Sequence, residues 1–189
     1  KRNYMNLSFW EKEVWFDEID CVIVGSGIVG LNAALKIKEI RPKAKVVVVE
    51  RGFLPAGAST KNAGFACFGS ASELLSDLKS HSYQEVLDLV RQRYQGLELL
   101  RKNLGDYDLG YENLGGYELF LKGQQDVYEE CVDQIPDLNA LVEEATGKND
   151  AFSVSKQLSH FGFETVNGLM FNQYEGQIHT GLMMETLIQ

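Results

Sequence analysis

Three glycines at positions 25, 27 and 30, set directly after the apolar run Ile19-Asp20-Cys21-Val22-Ile23-Val24, restrict the folds open to this chain. A strand that runs through Gly-x-Gly-x-x-Gly into a helix points backbone N–H groups outward at the helix N-terminus, where the dipole favours negative charge. Gly25 makes the tight turn, Gly27 leaves room for phosphates to approach the backbone, and Gly30 lets the helix pack closely on the strands. Ser26 and Ile28 fill the turn between them. From Ile28 to Ile40 the apolar positions Leu31, Ala34, Leu35 and Ile37 recur at helical spacing, and Arg41-Pro42 ends the run. Val46 to Val49 is apolar throughout, as in a parallel strand covered on both faces. Glu50 follows, twenty residues past Gly30, where a carboxylate can accept from both ribose hydroxyls of an adenosine and would repel a 2′-phosphate. Strand, glycines, helix, second strand and acid fall in register, and together they predict a dinucleotide-binding βαβ unit.

The glycine motif alone does not choose between NAD and FAD. In a plain nicotinamide fold the second strand leads promptly to another helix and a third strand. Here a long loop of small and hydroxylated residues follows, from Arg51 to Gly64. Within it, Glu50-Arg51-Gly52, Gly57-Ala58-Ser59 and Asn62-Ala63-Gly64, taken with the opening glycine motif, resemble the N-terminal part of the FAD-dependent oxidoreductases of the D-amino-acid oxidase, glycine oxidase and sarcosine oxidase family. The resemblance implies FAD as cofactor, and a loop that follows its pyrophosphate to the flavin ring. It implies cofactor-binding roles for Gly25, Ser26, Gly27, Ile28, Gly30, Glu50, Arg51, Ser59, Thr60, Lys61, Asn62 and Gly64. Many relatives carry Arg where this chain has Lys61, and Lys brings a point charge without the planar fork.

The rest of the chain alternates helical and strand patterns. Ser72 to Leu104 reads as helix, divided at Ser82-Tyr83-Gln84-Glu85, which has capping-box spacing. Glu98 stands three and four residues before Arg101 and Lys102, the spacing of a solvated ion pair. Tyr117 to Leu121 alternates like an antiparallel strand, Gln124 to Ile135 is a helix stopped by Pro136, and Asp137 can cap a shorter helix to Glu144. The period between Phe152 and Phe163 is too short to decide. Gly168 to Tyr174 reads as a strand, and Thr180 as the cap of a last helix. Residues 1–18 are aromatic-rich, with Tyr4, Phe9, Trp10, Trp15 and Phe16 among charges, and read as a leader that packs its rings on the nucleotide unit.

The segment Glu175 to Leu187 resembles the point where that family returns to its FAD domain after a first excursion through its substrate domain. The resemblance covers essentially the whole chain but corresponds to about the first half of a family member, so the chain reads as an N-terminal fragment. The expected fold class is α/β: a Rossmann-like FAD-binding βαβ unit with part of an α+β substrate domain, truncated. The expected organisation is a leader at 1–18, the FAD-binding unit with its loop and following helices at 19–104, a partial substrate domain at 105–174, and re-entry at 175–189. Two strands cannot bury their own faces and edges, so self-association through such edges is an expectation for the isolated fragment.

Charge and cysteine content narrow the partners. A net charge of -9 with no basic stripe argues against a nucleic-acid surface. Three cysteines, Cys21, Cys67 and Cys131, are odd in number and lack metal spacing, which fits a reducing, cytoplasmic setting. No apolar run is long enough for a membrane span, and residues 1–18 lack a signal-peptide core. His81, His160 and His179 are too scattered for a metal motif, and no Ser-His-Asp, Cys-His or paired-carboxylate set is visible. Cys67 reads as a small buried thiol, and Tyr111 and Tyr117 as core aromatics that could instead line a substrate cavity.

The family resemblance implies oxidation of the C–N bond of an amine or amino acid by hydride transfer to flavin. It names no catalytic side chain in this half. Two other classes stay open on the residues alone, an NAD-linked dehydrogenase domain and a non-catalytic dinucleotide-binding or interaction fragment. Residues 1–189 alone are expected to retain FAD weakly or not at all, and to turn nothing over.

Overall fold

The computed structural model describes residues 7–189, so Tyr4 of the leader lies outside the described residues. Packing divides the chain into two units. The first runs up to Asn62 and includes Met184–Gln189; the second is Ala63–Met183.

The first unit opens with α1 (Phe9–Glu11), continued as a π-helical turn over Lys12–Phe16. Ser8 and Glu11 form a capping box there: the Ser8 hydroxyl accepts from the Glu11 amide at 3.2 Å, and the Glu11 carboxylate from the Ser8 amide at 2.7 Å. Burial of the leader's rings is not what the structure shows, since Trp10 is 72% and Trp15 58% exposed. The leader is attached by a polar staple instead. The Lys45 ammonium donates to the Val14 and Asp17 carbonyls at 3.0 and 2.6 Å. Strand β1 (Cys21–Val24) and strand β2 (Val46–Val49) pair in parallel, Cys21 opposite Val46 and Val24 opposite Val49, joined by helix α2 (Ile28–Ile40). The helix packs on the Ile23 side of β1, while Val22 and Val24 face outward and are exposed, as expected of a two-stranded sheet with one uncovered face. A 3₁₀ turn, Ala58–Thr60, follows in the loop.

The second unit begins with β3 (Phe65–Ala66) and carries helices α3 (Ala71–Ser80), α4 (Tyr83–Leu104) and the short α5 (Asp106–Leu109). The break between α3 and α4 falls at the expected capping box, where the Ser82 amide donates to Glu85 at 2.9 Å. Strand β4 (Gly116–Leu121) leads to α6 (Gln125–Asp133) and α7 (Ile135–Thr146). Pro136 does not stop a helix but sits in the first turn of α7, where its missing N–H costs nothing, and Asp137 lies inside that turn without capping it. The undecided stretch resolves into β5 (Phe152–Val154) and a 3₁₀ turn over Leu158–Phe161. Strand β6 (Val166–Asn172) forms the centre of an antiparallel sheet of order β4-β6-β5, and β7 (Gly176–Gln177) pairs back with β3. The last helix, α8, spans Thr180–Ile188, and its cap is His179, whose Nδ1 accepts from the Leu182 amide at 3.1 Å.

The core lies in this second unit. Alternation along β4 and β6 turns Phe120 and Met170 inward against Leu74, Val86, Val90, Leu138 and Leu141 of the helices, all of them buried. The sequence reading grouped the helices of 71–104 with the nucleotide unit; their packing is with the 116–172 sheet. The opposite sheet face carries an aromatic stack in which Tyr117 meets Phe161 and Phe171 at centroid distances of 5.0 and 4.8 Å, and its hydroxyl donates to Gln157. Tyr117 is thus half exposed rather than core, and Tyr111 lies under the Arg101 guanidinium at 4.1 Å. The Glu98–Arg101 pair forms, and Arg101 binds Asp106 through Nε and Nη2 as well. Leu138 is fully buried, so Leu138→Ala is expected to lower the unfolding free energy by about 2–5 kcal/mol. A urea titration checks this, and an unchanged midpoint would contradict the placement of the core.

Candidate functional site: the glycine turn and its acid

The turn after β1 is built as its sequence requires. Gly25 has φ +99°, a conformation that strains any side chain, and its amide donates to the Val49 carbonyl at 2.7 Å, tying the turn to the end of β2. A Cβ on Gly30 would lie 2.1 Å from the Gly25 carbonyl oxygen and 3.2 Å from Ile23, so only glycine lets the first turn of α2 sit this close to the strand. A Cβ on Gly27 would stand 3.1 Å from the Ser59 hydroxyl, which has moved into the space that the missing side chain leaves.

Two acceptors from elsewhere in the sequence close on this turn. The Ser59 hydroxyl accepts from the Ile28 amide at 3.0 Å, which docks the loop on the N-terminus of α2. One Glu50 oxygen accepts from the Ser26 amide and hydroxyl at 3.0 and 2.9 Å, and the other from the Gly52 amide at 2.9 Å. These donors, Gly52 first and then Ser26, hold the Glu50 carboxyl at about 2, well below its ordinary 4.5. The group is exposed, and Oε1, which takes the Gly52 amide, keeps a lone pair for a further donor, while Oε2 is filled by the two Ser26 donors. The amides of Val29 and Gly30, the next two in α2, have no protein acceptor among the described residues. An anionic group can therefore still be held at this helix end.

The remaining loop residues organise the loop itself. Thr60 Oγ1 donates to the Pro55 and Gly57 carbonyls, and Asn62 donates to the Ala58 and Ser59 carbonyls, closing the 3₁₀ turn. The Arg51 and Lys61 side chains are exposed. Gly64, at φ +74°, belongs to the second unit and lies against the Ile178 carbonyl, which a Cβ would approach to 2.3 Å. Cys67 is exposed, not buried, and its thiol is pushed upward by partial desolvation and by the charges of Glu175 and Glu73. All three cysteines are free, and among the described residues no group of His, Cys, Asp or Glu could hold a metal ion.

A family model described as FAD dependent oxidoreductase, the DAO family, matches residues 20–189. The chain belongs to this family. Its cofactor is FAD, which the donors at the end of α2 and the Glu50 acceptor suit. Among solved structures the chain is similar to glycine oxidase from Bacillus cereus ATCC 14579, with a TM-score of 0.56 at 20% identity over 89% of this chain and 42% of that one. It is similar also to L-proline dehydrogenase from P. horikoshii, with a TM-score of 0.58 at 13% identity over 90% and 40% of the two chains. A third likeness is to L-amino acid deaminase from Proteus myxofaciens in complex with anthranilate, with a TM-score of 0.57 at 16% identity over 90% and 35%. At these identities the likeness is one of fold. The chain spans about two fifths of the length of these structures. No curated protein matches it.

One feature of the second unit escaped the sequence reading, which found no paired carboxylates. Glu118 and Glu175, 57 residues apart, line one small cavity, and no spacing rule connects residues so distant. His179, by contrast, is accounted for by its cap on α8.

Two expectations follow for the turn. In the whole protein containing this chain, Gly30→Ala should abolish FAD retention because the turn must open, whereas Gly57→Ala, with nothing within 4 Å of its added methyl, should bind as the wild type does; cofactor titration by absorbance compares them. Because the Glu50 carboxyl is depressed in the folded state, its stabilisation is complete above 4.5 and is lost as pH falls toward about 2. Acid unfolding of Glu50→Gln should therefore lack that component.

Proposed function

We propose that the whole protein containing this chain oxidises the C–N bond of an amine or amino acid, and that residues 19–62 hold the adenine dinucleotide. Glu50 carries the reading, because its carboxylate is fixed at the glycine turn, ionised across the physiological range and open to further donors. Oε1 accepts from one ribose hydroxyl through its free lone pair, Oε2 accepts from the other in place of the Ser26 hydroxyl, and the charge excludes a 2′-phosphate. The Val29 and Gly30 amides donate to the pyrophosphate at the positive end of α2. The Ser59 hydroxyl, accepting from Ile28, has its own proton free to donate there. Arg51 and Lys61 add positive charge, Thr60 and Asn62 keep the loop in shape, and Gly64 gives its end the close approach it needs.

The chemistry that FAD supplies when bound is acceptance of a hydride from the carbon bearing nitrogen. The substrate then leaves as an imine, which water hydrolyses. The solved relatives support this class, being a glycine oxidase, an iminodiacetate oxidase, L-amino acid deaminases and an L-proline dehydrogenase. The chain spans about two fifths of the solved relatives' length, and residues 1–189 by themselves are expected to turn nothing over. Three free cysteines suit a reducing compartment, and no helix among the described residues is long and apolar enough to cross a membrane.

The whole protein purified with FAD should absorb near 450 nm, as oxidised flavins do at about that wavelength, and lose the band when an amino acid or secondary amine is added without oxygen. A stable flavin band that no amine or amino acid bleaches would contradict the substrate class. Glu50→Gln removes a charged acceptor and should weaken FAD binding by about 10- to 100-fold. Isothermal titration measures this, and an unchanged affinity would remove Glu50 from the site.

A further inference from the structure

The strap Glu175–Ile178 holds two separate segments of the second unit, 64–66 and 112–115, together. The Gly115 amide donates to the Glu175 carbonyl at 2.8 Å, Gln177 exchanges backbone hydrogen bonds with Glu112 at 2.9 and 3.0 Å, Gly176 and Gln177 pair with Ala66 and Phe65, and the Ile178 amide donates to the Gly64 carbonyl at 2.8 Å. The last of these fixes the end of the 51–64 loop.

At the head of the strap the Glu175 side chain turns inward. Its carboxyl lies so close on the β4 backbone that a Cβ added to Gly116 would stand 1.9 Å from Oε2, and Oε1 accepts from the amide of Asn172, which is 4% exposed. Together with Ser70, Glu118 and Met170 these groups enclose a cavity of about 50 Å³. Across the cavity, Glu118 is already satisfied by the Ser70 hydroxyl at 3.0 Å, the Ser72 amide at 3.3 Å and the Ser72 hydroxyl. Two carboxyl groups therefore share one half-dry space, with no cationic side chain among its described lining residues.

We propose that Glu175 is a proton latch: while neutral, its carboxyl rests on the β4 backbone beside Glu118 and keeps the strap seated, and when ionised it leaves that place and loosens the strap's hold on Gly64. Burial first, and the Glu118 charge second, push the Glu175 carboxyl up to about 7, against the pull of the Asn172 amide. The other charged and titratable groups around it are Glu73 of α3, neutralised in part by Arg93 of α4 at 2.9 Å, Cys67 after β3, and Glu112, whose carboxylate accepts from Gln177. Since the folded value lies above the ordinary 4.5, the latch's stabilisation is complete below 4.5 and is lost as pH rises through about 7. The latch makes the end of the loop sensitive to pH in the neutral range. Its bearing on the cofactor rests on the FAD reading above, but its test needs no FAD.

Hydrogen exchange of the Gly115 and Ile178 amides, corrected for intrinsic exchange, is measured from pH 5.5 to 8.5 on the wild-type protein, Glu175→Gln and Glu118→Gln. In the wild type, opening should rise by up to about tenfold per pH unit above 7. Glu175→Gln should be flat with pH, and Glu118→Gln should shift the rise to lower pH, because removing the facing charge lets Glu175 ionise earlier. The ¹³C resonance of the Glu175 carboxyl, followed in the wild type, should titrate near 7. A pH dependence that survives in Glu175→Gln, or a carboxyl titrating near 4.5, would overturn the proposal.

Discussion

The hydrogen bond from the Gly25 amide to the Val49 carbonyl is the contact on which the nucleotide unit depends. It joins the end of β1 to the end of β2, so the turn and the acid that follows β2 arrive at the same place. The parallel register carries this through, with Val24 opposite Val49 and Glu50 next in line. Gly30 then lets α2 start directly over the Gly25 carbonyl, aiming its free amides out of the turn. Were any of these three positions to shift, Glu50 and the helix end would separate, and neither alone would make a site.

The same turn is already partly satisfied from within the protein. Glu50 takes the Ser26 donors and Ser59 takes the Ile28 amide. Such contacts are a reasonable cost of holding the site in shape, since a carboxylate left to rotate freely would spend entropy on binding. They also mean that the acid is ionised before any ligand comes near it. The helix end keeps its next two amides for the ligand, and the loop that carries Ser59 is held by its own Thr60 and Asn62 contacts. Rigidity in the loop and openness at the helix end are complementary requirements here.

What could be read from the sequence was what is local or periodic. The α2 and β2 limits, the capping box at Ser82, the Glu98–Arg101 pair and the glycine geometry all follow from spacing within a few residues. What could not be read depends on contacts between distant segments. The Lys45 staple on the leader, the exposed rings of Trp10 and Trp15, the exposure of Cys67 and the Glu118–Glu175 cavity have no signature in any short window. Even the cap of α8 went to His179 rather than Thr180, because an imidazole nitrogen can accept the same amide that a hydroxyl would. The choice of FAD over a nicotinamide nucleotide came from the family's loop, not from the glycine motif, which both kinds of site share.

The central claim is that the adenine dinucleotide lies between the free amides of α2 and the Glu50 carboxylate. A crystal structure of the whole protein with FAD tests it most directly. The pyrophosphate should lie within hydrogen-bond reach of the Val29 and Gly30 amides, with both ribose hydroxyls on Glu50. A dinucleotide bound away from this turn, with Glu50 still engaged only by Ser26 and Gly52, would contradict the account.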